Sequence, residues 1–289
     1  MTVRQAIQQI EQAISSLYDP REATAIARQV VCNRCGYNFS QLVVRYDDEC
    51  QIDDFQTIID QLAAARPVQY VLGEAEFFDL NFEVAEGVLI PRPETEELVA
   101  KVVAEAKPQM RILDVGTGSG AIAVSIARNV AEAKVVAVDI SDVALEIAAK
   151  NAERNSVKVE FVKSDALGDM SHLGTFDIIV SNPPYIPQSD IASMDRNVVE
   201  YEPHTALFVA DDNALCFYRS IAENGLKMLR AGGGLYFEIY EQFGDQIAAM
   251  LEALGYHDTQ VVKDIFGKER MVCSRRKNEQ RLPSRRSDR

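Results

Sequence analysis

Beyond Met110 the chain alternates short runs of β-branched and aliphatic residues with amphipathic stretches, and this alternation constrains the fold more than any other feature of the sequence. Strand-like runs fall at Arg111 to Val115, Val135 to Ile140, Val157 to Val162, Phe176 to Ser181 and Gly234 to Ile239, with two more near Val261 to Ile265 and Arg270 to Ser274. Helical spacing fills the gaps, as in Ser119 to Asn129 and Asp142 to Asn155. Parallel strands need a crossover connection of about a dozen residues, usually a helix. The pattern therefore predicts an α/β fold: a Rossmann-type, mostly parallel sheet of seven strands, covered on both faces, with ligands at the carboxyl ends of the strands. No internal repeat is evident.

The first sixty-odd residues read differently. Val3, Ile7, Ile10, Ile14 and Leu17, then Ala23, Ile26, Ala27, Val30 and Val31, then Phe55, Ile58, Ile59 and Leu62 recur at helical spacing. A small helical domain is expected over 1–67, its last helix ended by Pro67. Between 68 and 90 aromatic and β-branched residues surround Gly73 and Gly87, and Glu76-Phe77-Phe78 with Phe82-Glu83-Val84 alternate as a β-hairpin linker would. The large domain then spans 91–275. It opens on Ile90-Pro91-Arg92-Pro93-Glu94-Thr95-Glu96-Glu97-Leu98, where Pro93 suits a helix start and three glutamates suit the positive end of its dipole. Arg92, held between two prolines, reads as a positioned, substrate-facing side chain.

Composition narrows the function. With 289 residues, 47% of them apolar, the chain can bury a large core. It has no stretch long enough to span a membrane and no secretory signal layout, so a cytoplasmic protein without membrane contact is expected. Cys32, Cys35, Cys50, Cys216 and Cys273 are an odd, scattered set suited to reduced thiols; Cys32-Asn-Arg-Cys35 lacks the further ligands of a zinc site, and no metal is expected. A formal net charge of −14 argues against duplex DNA as a partner. The basic stretch from Arg275 through Arg281, Arg285, Arg286 and Arg289 reads as a disordered tail over 276–289, open to a weak RNA or ribosome contact.

The chemistry is concentrated at Asn182-Pro183-Pro184-Tyr185, directly after the strand-like Phe176 to Ser181. Consecutive prolines give the backbone a rigid, extended path and supply no N–H, so the carbonyls of Asn182 and Pro183 are presented without local donors. An amide side chain and an aromatic ring complete a pocket that accepts two hydrogen bonds from a planar NH2 group and covers its flat face. Such a nitrogen is a poor nucleophile because its lone pair is delocalised; holding both hydrogens aims it at an electrophile. Asn182, Pro183 and Tyr185 are the candidate catalytic residues, with Pro184 and Arg92 on the substrate side. His204, in Glu202-Pro203-His204, reads as structural rather than as a base.

A cofactor loop precedes it. Strand one runs into Asp114-Val115-Gly116-Thr117-Gly118-Ser119-Gly120, and strand two ends near Asp139. The glycines admit a ligand close to backbone amides at a helix N-terminus, and Asp139 can accept the hydroxyls of a ribose. Gly116-x-Gly118-x-x-Ala121 also fits the loose dinucleotide fingerprint. Asp114 favours S-adenosylmethionine: a carboxylate there would repel a pyrophosphate, yet can engage an ammonium directly or through water. Asp165 and Ala166, after strand three, stand where an adenine would be read.

With these motifs the chain resembles the protein-(glutamine-N5) methyltransferases that modify peptide-chain release factors, a family related in fold to class I adenine-N6 methyltransferases. The resemblance covers nearly the whole chain: the helical N-terminal region, Gln69 to Gly73 with Phe77, the Ile90 to Leu98 segment, the glycine loop, Asn182 to Ile186, and Glu202-Pro203-His204 leading to Ala206-Leu207-Phe208. It implies a class I methyltransferase-like fold in which Gly116 to Gly120, Asp139, Ala166 and Asn182 line S-adenosylmethionine. It implies also that Asn182 to Tyr185 hold the glutamine of a Gly-Gly-Gln motif in class I release factors, with S-adenosylhomocysteine as product. The helical domain would dock the protein substrate. Many relatives carry an aromatic residue where Ala166 stands, so looser adenine packing, or compensation by Leu167, is expected. The alternatives are a glutamine methyltransferase of a ribosomal protein, an adenine-N6 nucleic-acid methyltransferase, and a non-catalytic S-adenosylmethionine-binding module.

Overall fold

The computed structural model describes residues 1–277. Five helices come first: α1 (Val3–Ile14), α2 (Pro20–Cys35), α3 (Phe39–Val44), α4 (Phe55–Ala63) and α5 (Val68–Leu72). A hairpin of β1 (Glu74–Phe77) and β2 (Leu80–Glu83) leads to α6 (Thr95–Glu105), β3 (Arg111–Val115), α7 (Ala121–Asn129), β4 (Lys134–Asp139), α8 (Asp142–Arg154), β5 (Val159–Lys163) and β6 (Phe176–Ser181). There follow β7 (Ile186–Pro187), α9 (Arg196–Tyr201), α10 (His204–Leu207), β8 (Phe208–Val209), α11 (Cys216–Met228), β9 (Leu229–Glu238), α12 (Gly244–Leu254), β10 (Tyr256–Lys263) and β11 (Glu269–Arg276).

The seven-stranded sheet has the order β10-β11-β9-β6-β3-β4-β5, and only β11 runs against the rest. From β3 the chain steps outward through β4 to β5, then returns to β6 and steps the other way. The reversal leaves a crevice between the carboxyl ends of β3 and β6. Both faces of the central strands are buried, and successive residues serve opposite sides. Leu113, Val115, Val136, Val138, Ile179, Leu235 and Phe237 join one core with α11 and α12, while Ile112, Val135, Ala137, Ile178, Val180 and Tyr236 join the other with α6 and α7. Each such side chain contributes about 1.5–3 kcal/mol through burial.

The N-terminal helices form around Val3, Ile7, Ile10 and Ile14 of α1 and Ile26, Ala27, Val30 and Val31 of α2, all fully or nearly fully buried. Their ends are marked by side chains: Thr2 and Gln5 form a reciprocal capping box, Asp19 caps α2 ahead of Pro20, and Gly36 ends α2 at φ 65°. Three expectations need correcting. Pro67 does not close the last helix of this region but precedes α5, so the linker begins as a helical turn rather than in the hairpin. The short α3, capped by the Asn38 and Gln41 side chains, lies where no helix is expected. And β11 runs through Arg276, with Arg275 paired to Glu105 and Arg276 donating to the Leu229 carbonyl, so these two arginines belong to the sheet and not to a basic tail. Arg281, Arg285, Arg286 and Arg289 lie outside the described residues.

Phe78 and Asp79 turn the hairpin with both φ values positive, 51° and 58°, the backbone of a tight two-residue turn usually given to Asn-Gly. The Phe78 N–H donates to Glu96 Oε1 at 2.9 Å, which ties the turn to α6. Asn151, fully buried on α8, does more: its Oδ1 accepts from the Glu83 N–H at 2.6 Å, and its Nδ2 donates to the carbonyls of Glu83 and Ser119, each at 2.9 Å. One amide thus joins hairpin, helix and glycine loop. Asn151→Ala strands three backbone groups in the interior and is expected to cost about 2–4 kcal/mol, read as a lower urea midpoint.

Candidate active site

Every candidate site residue except Arg92 falls at or just beyond the carboxyl end of a parallel strand, around the crevice. β3 delivers the loop Gly116-Thr117-Gly118-Ser119-Gly120, which turns at positive φ on all three glycines into α7. A Cβ on Gly116 or Gly118 would meet no atom within 4 Å, so their open sides face a cavity, whereas one on Gly120 would lie 3.0 Å from the Ala148 Cβ. The Gly118 N–H donates to Asp139 Oδ2 and the Ser141 N–H to Asp139 Oδ1, both at 2.9 Å, so the Asp139 carboxylate braces the loop and keeps a lone pair on each oxygen.

Asp114 departs from expectation. It is fully buried, accepts the Thr117 hydroxyl at 2.6 Å, and does not line the cavity. The Thr117 hydroxyl holds one carboxylate oxygen, and the other, Oδ1, has no hydrogen-bond partner among the described residues. Burial pushes its pKa up to about 7, the Thr117 hydrogen bond opposes this, and the charge of Asp139 adds to it.

The cavity in front of the loop has a volume of about 470 Å³. Gly116, Thr117, Gly118, Ser119, Asp139, Asp165, Ala166, Asn182, Pro183 and Pro184 all line it. Apolar Ile140 and Leu167, 60% and 51% exposed, stand at its edge beside Ala166, where compensation for the missing aromatic ring is expected. Among the described residues the only cation on its wall is Arg92, whose Nη2 sits 2.6 Å from Glu202 Oε1. The Glu202 side chain is 1% exposed and also accepts the Ile90 N–H at 3.2 Å. With that charge already neutralised, the lining suits an adenosine carrying no phosphate, with Asp139 for hydroxyls, apolar walls for a base and open glycines for close approach.

A second cavity of about 300 Å³ adjoins it, and the two share Leu89, Arg92, Asn182 and Ala206. Tyr185 lines the second cavity only, Pro183 and Pro184 the first only, so the Asn-Pro-Pro-Tyr run is divided across the wall with Asn182 in both. No hydrogen bond occupies the Pro183 carbonyl among the described residues. Around Asn182 lies a group that motif reading missed, with Thr95 lining the first cavity and Glu238 the second: Asn182 Nδ2 donates to Thr95 Oγ1 at 3.3 Å, Thr95 donates to Glu238 Oε2 at 2.6 Å, and the Tyr185 hydroxyl donates to Glu238 Oε1 at 3.1 Å. Burial raises the Glu238 pKa, while Thr95, Tyr185 and then Arg270 oppose the rise. Burial also raises the Tyr185 pKa, and Glu238 adds to it, so the phenol stays protonated. A glutamate closing the otherwise apolar run Leu235-Tyr236-Phe237 was the available signal.

His204 lines neither cavity; its ring nitrogen sits 2.8 Å from the Val199 carbonyl and its ring packs edge-on to Phe208. Cys35 lies within the helical core, where burial and then Cys50 push its thiol up to about 11, the state of a packing residue. Among the described residues no group of three or more His, Cys, Asp or Glu side chains could hold a metal ion, and no helix is long and apolar enough to cross a membrane.

Two family models match: one described as Methyltransferase small domain over residues 94–200, the other as PrmC N-terminal domain over residues 5–73. Among curated proteins, the release factor glutamine methyltransferase of Bacteroides thetaiotaomicron is 44% identical over 271 residues, covering 92% of this chain and 98% of its own. Its counterpart in Flavobacterium psychrophilum is 40% identical over 280 residues, covering 94% and 98%. Among solved structures, a methyltransferase from Pyrococcus furiosus superposes with a TM-score of 0.52 at 23% identity over 69% of this chain and 90% of its own, a likeness of fold.

The state of Asp114 has a measurable consequence. An acid whose pKa rises from 3.8 to about 7 on folding stabilises the fold less as pH climbs between those values, by up to about 4 kcal/mol. Asp114→Asn is expected to flatten that decline, seen as a smaller fall in the urea midpoint between pH 5 and pH 8 than in the parent protein.

Proposed function

The chain belongs to the release factor glutamine methyltransferase family, and from that premise we propose that it transfers a methyl group from S-adenosylmethionine to the side-chain amide nitrogen of the glutamine in the Gly-Gly-Gln motif of class I release factors. The observation that carries this reading is the meeting of two cavities at Asn182, one fit for the methyl donor and the other for an acceptor side chain.

S-adenosylmethionine supplies a methyl group already activated on a sulfonium. The rest falls to the chain. The loop of Gly116 to Gly120, Asp139, Asp165 and Ala166 holds the cofactor, Ile140 and Leu167 flanking the base. Asn182 Oδ1 and the Pro183 carbonyl accept the two amide hydrogens, which turns the lone pair toward the wall shared by the cavities and favours the positive charge that grows on nitrogen as it attacks. The extra proton then leaves to water, and S-adenosylhomocysteine remains. Tyr185 covers the amide plane from the second cavity. Orientation and acceptor hydrogen bonds supply the acceleration, and no general base is needed. Arg92 acts by bracing the entrance through Glu202.

The protein substrate needs a second contact, and the N-terminal helices are its seat. They carry the apolar side chains of Phe39, Val43 and Val44, 58%, 62% and 85% exposed, with the Arg28 guanidinium over the Phe39 ring. We place the protein in the cytoplasm with its substrate.

Asn182→Ala is expected to lower methylation of a release factor by about 10²–10³-fold while the Kd for S-adenosylmethionine changes little. Mass spectrometry of release factor, ribosomal proteins and DNA incubated with labelled cofactor would locate the label, and label confined to the other two substrates would refute the assignment. Val43→Glu with Val44→Glu should raise KM for the release factor about tenfold or more, with cofactor affinity unchanged; parallel losses in both would remove the docking role.

A further inference from the structure

Glu238 is 1% exposed, yet among the described residues it makes no salt bridge: Arg270, the cation on its side, is committed to Asp264 at 3.2 Å. What the carboxylate does have is two hydroxyl donors, Thr95 on Oε2 and Tyr185 on Oε1. A buried charge held this way is costly unless its neighbours gain from it. An ionised carboxylate only accepts, and a threonine hydroxyl has one hydrogen to give. With that hydrogen on Glu238 at 2.6 Å, Thr95 Oγ1 turns nothing but lone pairs toward Asn182, 3.3 Å away. The asparagine must answer with its NH2, since its oxygen there would set acceptor against acceptor.

The primary amide of asparagine is nearly symmetric in shape, and a half-turn about its last bond exchanges acceptor for donor. Nothing in the outline of a pocket forbids that exchange; only the hydrogen bonds on either side do. No donor among the described residues takes Asn182 Oδ1, so the oxygen set free by the contact with Thr95 is available at the wall shared by the two cavities.

We propose that Glu238, acting through Thr95, is the positioning residue that fixes the amide of Asn182 with its oxygen toward the substrate, and that the same carboxylate anchors the Tyr185 ring through its hydroxyl. This deepens the assignment above and rests on it. The relay makes the site selective for a group that offers two hydrogens: a glutamine amide meets Asn182 Oδ1 and the Pro183 carbonyl as acceptors, whereas the carboxylate of a glutamate, equal in shape, sets acceptor against acceptor. A site built to pair with N–H groups rejects an isostere lacking them by large factors. Thr95 lines the first cavity and Glu238 the second; in this scheme neither touches the reacting atoms, and both act through Asn182.

Thr95→Val, which keeps the shape and removes the hydroxyl, is expected to lower kcat on a release factor about 10²-fold. KM for the release factor and Kd for S-adenosylmethionine should hold within about threefold. Thr95→Ser, which restores the hydroxyl, should recover most of the rate. Glu238→Gln, which presents an NH2 to Thr95 and so can reverse the relay, should lose rate to a similar degree at unchanged cofactor affinity, and serves if the valine variant does not fold. In an Asn182→Ala background, Thr95→Val should cost little more, because residues acting as one unit are not additive. A full rate in both Thr95→Val and Glu238→Gln, or a Thr95→Val loss that multiplies undiminished onto Asn182→Ala, would overturn the relay while leaving the role of Asn182 standing. A full rate in Asn182→Ala alone would overturn both.

Discussion

The central strands must be apolar on both faces at once, and the rest of the molecule follows from that requirement. β3, β4, β6 and β9 are covered by helices on either side, so polar chemistry is excluded along their length and permitted only where the strands end. The few polar side chains buried there prove the rule by their positions: Asp114 is one residue from the end of β3, Ser181 is the last of β6 and Glu238 the last of β9. Each has a local partner, the Thr117 hydroxyl, the Val115 carbonyl, and the Thr95 and Tyr185 hydroxyls respectively, while Asp114 Oδ1 accepts no hydrogen bond among the described residues. The site is the margin along which the sheet can tolerate charge.

That margin also explains what could be read from the residues alone. Continuous apolar runs such as Phe176 to Ser181 mark the parallel strands, and glycines after the first of them, with an aspartate closing the second, mark the ligand side, because those patterns arise from local sterics and burial. The Asn-Pro-Pro-Tyr run was legible for the same reason, since proline dictates its own backbone. What escaped depends on residues distant in sequence. Thr95 and Glu238 are 143 positions apart and meet only when α6 docks on the end of β9. Asp114 looked like a ligand contact because its place beside the glycines is suggestive; the Thr117 hydroxyl, three residues on, holds one of its oxygens. Likewise nothing near Arg92 in sequence discloses its partner Glu202, 110 residues away, although Arg92 does line both cavities. Around Pro67 the local signal was ambiguous: proline both ends helices and begins them, and tertiary packing of Val68 and Tyr70 decided for a further turn.

The two cavities differ in how their walls are made. The larger is built mainly of loops following β3, β4 and β5, held by backbone hydrogen bonds to Asp139 and Val138. The smaller is built of side chains from the segment before α6, from α9, α10, β9 and β11, and from the residues after β6. In the proposed function the nucleoside would meet mostly main chain, which tolerates surface substitution, and the acceptor group side chains, which do not.

Glu202 grips the linker at the Ile90 N–H and at Arg92, and four positions later comes Ala206, on the wall common to both cavities. Upstream, Tyr70 of α5 donates to the Val88 carbonyl at 2.5 Å, so the same strut continues back to the helices. In the proposed function the seat of the protein substrate is thus tied to the wall common to both cavities by covalent chain, with a single carboxylate as its rivet.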